Sequence, residues 1–262
     1  MTPNWVSAGP LEDLAAKGRR LLRSEGKQVA LFHTPKGVFA INNRCPHEGY
    51  PLMEGTLDQD CRLTCNWHAW RFDLTDGRTE EGDKVRTYPV ELRGGEVFVD
   101  LSDPPTEARI AEALANIEDA LKRRDRGRMA RELARLEKAG GDPNEAVSLA
   151  VEKTKERFRY GMSHAQGAAA DWLGMRAREA ETPAQRLVPL VEVIDHIVDD
   201  SLGEPPRPYA EGREAYSEEA LFGAILESDD ERSARLLRDA FAGGLGWAEI
   251  EPVLARAAFH HY

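Results

Sequence analysis

Two short stretches of this chain each pair a cysteine with a histidine, Cys45-Pro46-His47 and Cys65-Asn66-Trp67-His68. Together they read C-x-H-x17-C-x2-H. Two thiolates and two imidazoles within so short a span are a metal-ligand set, and they constrain the fold before anything else does. Such soft and borderline donors suit zinc or an iron–sulfur cluster, and the arrangement must choose between them. A Cys2His2 zinc finger groups its cysteines together and its histidines together. Here each loop carries one of each, so the cysteines can share one metal while the histidines share another. The third cysteine, Cys61, sits in a short apolar-alternating run, Cys61-Arg62-Leu63-Thr64, and reads as a strand residue. Three cysteines are too few for a disulfide framework and fit a reducing, cytoplasmic setting.

The pattern resembles the Rieske [2Fe-2S] family. Gly49, Gly55-Thr56 and Trp70-Arg71-Phe72-Asp73 flank the loops as that family has them. The resemblance covers residues 1–103 and implies two small stacked sheets with the ligand loops at one tip. It also implies one [2Fe-2S] cluster, with Cys45 and Cys65 on the inner iron and His47 and His68 on the outer one. Within the family, the cytochrome-bc type carries an extra cysteine in each loop, and the corresponding places here are Tyr50 and Trp67. That type also places a serine where this chain has Trp70, and the usual glycine after the second histidine is Ala69. With neither disulfide nor hydroxyl to support the sulfides, the resemblance is to the low-potential ferredoxin and oxygenase branch. The function implied is single-electron transfer between redox proteins, with a flavin reductase as donor and an oxygenase or another protein as acceptor.

The rest of the first hundred residues carries strand signals. Trp5–Ala8, Arg20–Arg23, Gln28–His33 and Val38–Ile41 are short apolar runs broken by glycine or polar residues, and Thr34-Pro35-Lys36-Gly37 turns a hairpin. Pro10–Ala15 is read as a single helical turn. Trp70–Leu74 predicts a strand closed by Asp76-Gly77, Val85–Leu92 alternates weakly, and Gly94-Gly95 leads into Glu96–Leu101. His33 is read as an ordinary strand histidine.

At Ser102-Asp103-Pro104-Pro105 the pattern changes, because two prolines cannot continue a ladder and pre-set a helix start. The fold class predicted is therefore α+β in two domains: an all-β domain over 1–103 and a helical bundle over 104–262. Ile110, Leu114, Ile117 and Leu121 line one helix, and Met129, Leu133 and Leu136 line the next. A long helix is expected from about Asn144 to Arg178, a compact one over Leu187–Val198, and three more over 217–227, 230–242 and 247–260. Leu133–Gly141 and Leu236–Gly244 echo one another about 103 residues apart, which reads either as a duplicated helical hairpin or as two ordinary glycine-capped helices. The final Phe259-His260-His261-Tyr262 reads as a helix cut in its middle, so the chain is expected to be a fragment.

The helical half has no H-x4-H pair followed by an acid, so a complete Rieske oxygenase is set aside. A second reading keeps the chain as an oxidoreductase component whose cluster feeds a metal or haem site among the helices. Glu192 and His196 at i, i+4, with Asp195 and Asp199 nearby, and His164 in a run of small residues are the candidates. The blander reading is tight packing and a hydrogen-bonded histidine. With 41% hydrophobic and 31% charged residues, the composition is that of a folded water-facing protein, and no apolar run is long enough to span a membrane. A formal charge of −11 disfavours nucleic acid and suits a basic patch on a protein partner.

Overall fold

The structure is a computed structural model that describes residues 3–157, 164–179, 181–201 and 203–260. The chain divides into two compact units, Met1–Arg109 and Ile110–Tyr262.

The first unit is antiparallel throughout. Strand β1 (Trp5–Pro10) pairs with β10 (Glu96–Asp100), and β9 (Val90–Arg93) completes that sheet in the order β1-β10-β9. Strands β2 (Arg19–Ser24), β3 (Lys27–Thr34), β4 (Gly37–Asn42) and β8 (Thr87–Tyr88) form a second sheet in that order. Leu31, Val29 and Ala40 from the second sheet and Val97 and Val99 from the first are buried in one core. Alternation explains it: Val97 and Val99 point inward while the intervening Phe98 faces out, as a two-residue period requires. The opposite face of the second sheet, Ala30, Phe32 and Ile41, packs on a third sheet of β5 (Thr56–Leu57), β6 (Arg62–Thr64) and β7 (Arg71–Asp73). β3 is therefore buried on both faces, as its near-continuous apolar run Val-Ala-Leu-Phe demands.

Three local expectations are corrected. Helix α1 runs over Leu11–Lys17, longer than a single turn, and ends on Gly18. The Val85–Leu92 run is two strands in different sheets, because Pro89 has no N–H to continue a ladder. Cys61 is not in a strand: it precedes β6 with a φ of 66°, a left-handed turn residue whose side chain is buried.

The second unit is helical. Helices α2 (Thr106–Arg123), which begins at the end of the first unit, α3 (Arg126–Ala139), α4 (Asn144–Thr154), α5 (His164–Glu179) and α6 (Pro183–Ser201) contribute to one core. Ile117, Leu121, Met129, Leu133 and Leu136 fill it as the helical spacing predicts, against Leu190, Val193, Ile194 and Ile197 of α6. The single long helix expected over 144–178 is not formed: α4 stops at Thr154, whose hydroxyl turns back onto the carbonyl of Ala150. Residues 158–163, including the expected Met162 and Ser163, lie outside the described residues. α6 opens on a capping box, with Thr182 accepting from Gln185 N and Gln185 accepting from Thr182 N. Helices α7 (Glu218–Leu226), α8 (Asp230–Ala242) and α9 (Trp247–His260) match the expected positions and enclose a separate core of Leu221, Leu236, Ile250 and Val253.

The sequence echo has a structural counterpart, one residue out of the register the glycines suggest. Asp125 and Asp229 cap α3 and α8 by accepting from Arg128 N and Arg232 N, each at 2.9 Å. Each cap follows a left-handed residue, Arg124 with φ 54° and Ser228 with φ 55°. Asp125 N donates to Ala120 O and Asp229 N to Ala224 O, at 3.0 and 2.9 Å. At the far ends, Gly140 and Gly244 share φ values of 87° and 90°, and the following amides donate to Leu136 O and Ala240 O. The α2–α3–α4 and α7–α8–α9 segments thus repeat the same backbone bonds at an offset of 104 residues.

Candidate metal centre

Both Cys-His loops are the same turn. Cys45 N donates to Tyr50 O at 2.9 Å and Gly49 N to Cys45 O at 2.8 Å. In the second loop Cys65 N donates to Trp70 O at 2.8 Å and Ala69 N to Cys65 O at 3.0 Å. The fifth residue of each turn is left-handed, Gly49 with φ 81° and Ala69 with φ 60°. Glycine takes that conformation freely, whereas alanine takes it at a steric cost, so Ala69 is a strained substitute. The first loop follows β4, and the second is the tip of the β6–β7 hairpin.

These turns point the sulfurs inward and the rings outward. Cys45 and Cys65 are 3% and 1% exposed, in an apolar cluster with Leu52, Leu63, Phe72 and Leu74. Burial, reinforced by neighbouring Cys65, pushes the Cys45 thiol up to about 11. Burial thus disfavours the Cys45 thiolate, and a bound metal would supply the positive charge that stabilises it. His47 and His68 lie at the surface with their Nδ1 atoms 3.1 Å apart and their rings edge to face. Each ring is backed by a tryptophan of the second loop: His47 stacks on Trp70 at 4.7 Å and 13°, and His68 on Trp67 at 4.7 Å and 25°. Two inward sulfurs and two converging imidazole nitrogens fit a cluster with chemically different ends. Among the described residues, His47, Glu48 and His68 form the single group of three metal-ligating side chains close enough to share an ion. The Glu48 carboxylate lies 3.8 Å from His68 Nε2.

Several contacts that the sequence does not signal hold this tip together. Asn66 Nδ2 donates to Glu54 O at 2.6 Å, while Thr56 Oγ1 donates to Asn66 Oδ1 at 2.9 Å. The second loop is thereby tied to the segment just after the first. Tyr50 Oη donates to Glu54 Oε2 at 3.0 Å, and this bond holds the Tyr50 phenol above its usual range. Tyr50 and Trp67, at the two disulfide places of the cytochrome-bc type, meet with ring centroids 6.0 Å apart. From the other side, Arg19 donates to Met53 O and Gly55 O at 2.7 and 2.9 Å. Nothing in the sequence near Arg19 signals this clamp, because it acts across 34 and 36 residues.

The other candidates are dispersed. His33 is exposed on β3. In the helical unit Arg126 takes Glu192 at 2.6 Å and Asp195 at 3.1 Å, and Arg124 lies 3.7 Å from Asp199. His196 is 3.5 Å from Glu192, so these acids serve helix packing. His164 is exposed at the start of α5, His260 packs edge-on against Phe222, and His261 lies outside the described residues. Among the described residues no helix is long and apolar enough to cross a membrane.

Comparison with known proteins agrees with this tip. Residues 4–91 match the Rieske [2Fe-2S] domain. The ferredoxin subunit of 3-phenylpropionate/cinnamic acid dioxygenase from Escherichia coli (strain K12) is 34% identical over 103 residues, 38% of this chain and 96% of that protein. Its counterpart from Shigella boydii serotype 4 is 33% identical over the same length. Among solved structures, the ferredoxin of carbazole 1,9a-dioxygenase from Nocardioides aromaticivorans IC177 is 26% identical with a TM-score of 0.36, covering 39% of this chain and 100% of that one. The family match ends before α2, and the helical unit lies beyond it. The donor set, the paired turns and a match to nearly the whole length of its relatives place this chain, through its N-terminal unit, in the Rieske [2Fe-2S] family, whose domain binds one [2Fe-2S] cluster.

Proposed function

We propose that this chain is a ferredoxin-like electron carrier in which Cys45 and Cys65 hold the inner iron of the cluster and His47 and His68 the outer one. The observation that carries the assignment is the pair of identical turns, which buries both sulfurs and brings the two imidazole Nδ1 atoms to 3.1 Å. When bound, the cluster takes up and releases one electron at a time. The chain's own residues decide where that electron enters and leaves. His68 is exposed and Trp67, stacked on it, is 55% exposed, so the imidazole end opens to solvent while the thiolate end lies under apolar side chains. Electrons then pass to a docked partner over a short distance. A flavin reductase is the donor we infer. The acceptor is an oxygenase or a comparable redox protein, in keeping with the dioxygenase ferredoxin subunits that the N-terminal unit resembles. Three unpaired cysteines support a cytoplasmic, reducing location.

Two features support a potential at the low end of the Rieske range. Tyr50 and Trp67 stand where an inter-loop disulfide would be, and Trp70 offers no hydroxyl to a sulfide. The ligand loops and all ten described strands fall within residues 1–103, and we assign this segment as the cluster domain. The helical segment 104–262 is assigned to partner choice.

Iron and sulfide analysis together with EPR of the reduced protein tests the proposal. Two irons and two sulfides per chain, with an average g below that of all-cysteine clusters, is the expected result. A colourless protein holding one zinc per chain would refute the ligand assignment. A third iron or a haem would shift the reading to an oxidoreductase component with a second site among the helices.

A further inference from the structure

The two Cys-His turns share their backbone bonds, so their residues correspond: Cys45 to Cys65, His47 to Trp67, Glu48 to His68 and Tyr50 to Trp70. Their rings meet in a matching way. The sixth residue of the second turn, Trp70, stacks on the third residue of the first, His47, at 4.7 Å and 13°. The sixth residue of the first turn, Tyr50, meets the third residue of the second, Trp67, at 6.0 Å and 52°. Both separations are those of attractive aromatic pairs. The two contacts cross, and each joins one loop to the other. They differ in one respect. In the first turn the third residue is itself a proposed ligand, whereas in the second Trp67 hands the contact on to His68, against which it lies at 4.7 Å and 25°. Each imidazole is thus held by a ring of the opposite loop, directly or through one indole.

Both sixth residues are anchored from below. Tyr50 and Trp70 pack against the apolar cluster that buries Cys45 and Cys65. Trp70 also lies 6.5 Å from the Phe72 ring, and the Tyr50 hydroxyl donates to Glu54. The rings above them are far less enclosed: His68 and Trp67 are exposed, and His47 is half-buried. An imidazole at such a surface turns about two torsions unless neighbours fix it, and a pair of ligands needs both rings fixed at once. The Asn66 bonds tie the second loop to residues 54–56 without reaching either histidine. The aromatic rings do reach them.

We propose that Trp70, Trp67 and Tyr50 are positioning residues, a crossed aromatic brace that holds the two imidazoles in their ligating orientation and sets how firmly the cluster is kept. The proposal rests on the assignment of His47 and His68 as ligands, and the test separates the two. Full chains loaded with the cluster are diluted into an iron chelator, and the loss of visible absorption is timed. Trp70→Leu should shorten the half-life about tenfold, whereas Trp70→Phe, which keeps a ring on His47, should stay within about twofold of the unaltered chain. Trp67→Leu should shorten it about fivefold and Tyr50→Leu about threefold. The double variant should lose no more than Trp67→Leu alone, since Tyr50 reaches His68 only through Trp67. In the reduced proteins the EPR lines of Trp70→Leu and Trp67→Leu should broaden, because loosened imidazoles take a spread of orientations, and those of Trp70→Phe should not. Unchanged half-lives and line widths in Trp70→Leu would overturn the brace while leaving the ligands in place. So would a double variant whose loss is the product of the two single losses. Should Trp70→Leu fail to fold, the second arm decides alone, since Trp67 is exposed and its replacement removes no buried packing. An unaltered chain that takes up zinc and no cluster would refute the ligand assignment, and the brace with it.

Discussion

Replacing Ala69 by glycine should stabilise the cluster domain, and the gain can be worked from one dihedral. Ala69 sits at φ 60°, at the place where the equivalent first turn has Gly49 at φ 81°. A left-handed conformation costs an L-residue about 1–2 kcal/mol. Glycine escapes that cost but loses about 0.5–1 kcal/mol through its larger unfolded-state entropy. The side chain of Ala69 is exposed, so no buried packing is given up. The net expectation is a gain of about 0.5–1 kcal/mol, which for a domain of about 100 residues raises the midpoint by roughly 2–8 °C. Loss of the visible absorption on heating reads the cluster domain separately from the helices, compared at one scan rate because release of the cluster is irreversible. Gly49→Ala is the converse control. Its Cβ would meet Arg44 Nε at 2.9 Å as well as the left-handed backbone, so it should lower the midpoint. An unchanged or lower midpoint for Ala69→Gly would show that the turn relaxes around the cluster and that the strain argument is wrong.

Gly77→Ala should be more damaging than Gly49→Ala. An added Cβ would lie 2.0 Å from the carbonyl oxygen of Val85 at a φ of 77°, and a cost of about 2–3 kcal/mol should appear in chemical denaturation. Cutting the chain after Asp103 should leave a folded, coloured domain, whereas cutting after Asp100 should weaken it, because Lys27 donates to Leu101 O and Arg86 donates to Ser102 O and pairs with Asp103. Arg86 and then Lys27 hold the Asp103 carboxyl below its ordinary range; that contribution is present above the unfolded carboxylate pKa and lost as pH falls through the folded value, so Asp103→Asn should remove acid sensitivity below about pH 4. Asn66→Ala should shorten the half-life of the bound cluster during dilution into chelator, since it cuts both bonds between the second loop and the 54–56 segment.

The candidate ligand set can be proposed from sequence because its chemistry is local: Cys45, His47, Cys65 and His68 are donor-type residues at short fixed spacing, and the structure brings the two imidazoles together. The helical faces were legible for a similar reason, since Ile117, Leu121, Met129 and Leu133 repeat at the helical period and all end in one core. What escaped the sequence acts across distance or against propensity. The Arg19 clamp joins β2 to a turn far along the chain, and no local pattern encodes its partner. The break after Thr154 fell within a stretch of good helix formers, where a hydroxyl bond to Ala150 O rather than a glycine or proline accompanies the stop. Glycine placement suggested the repeat in the helical unit but misplaced it by one residue. The left-handed position, and not the letter, is what the two copies share: Gly140 answers to Gly244, while Gly243 has an ordinary right-handed conformation.

The unequal spacing of the two Cys-His pairs, the proposed ligands, also finds its reason in the turns. Both loops close through the same backbone bonds, so equal positions in them can be compared directly. The first loop places its histidine third in the turn, at His47, and the second places it fourth, at His68. The third position of the second loop is Trp67, whose ring is 55% exposed and lies flat against His68. The fourth position of the first loop is Glu48, which is exposed and faces the outer nitrogen of His68. The two nitrogens that meet at 3.1 Å come from the third position of one loop and the fourth of the other. The C-x-H and C-x2-H pairs thus read as one geometric requirement, met by two copies of a turn that approach each other from different strands.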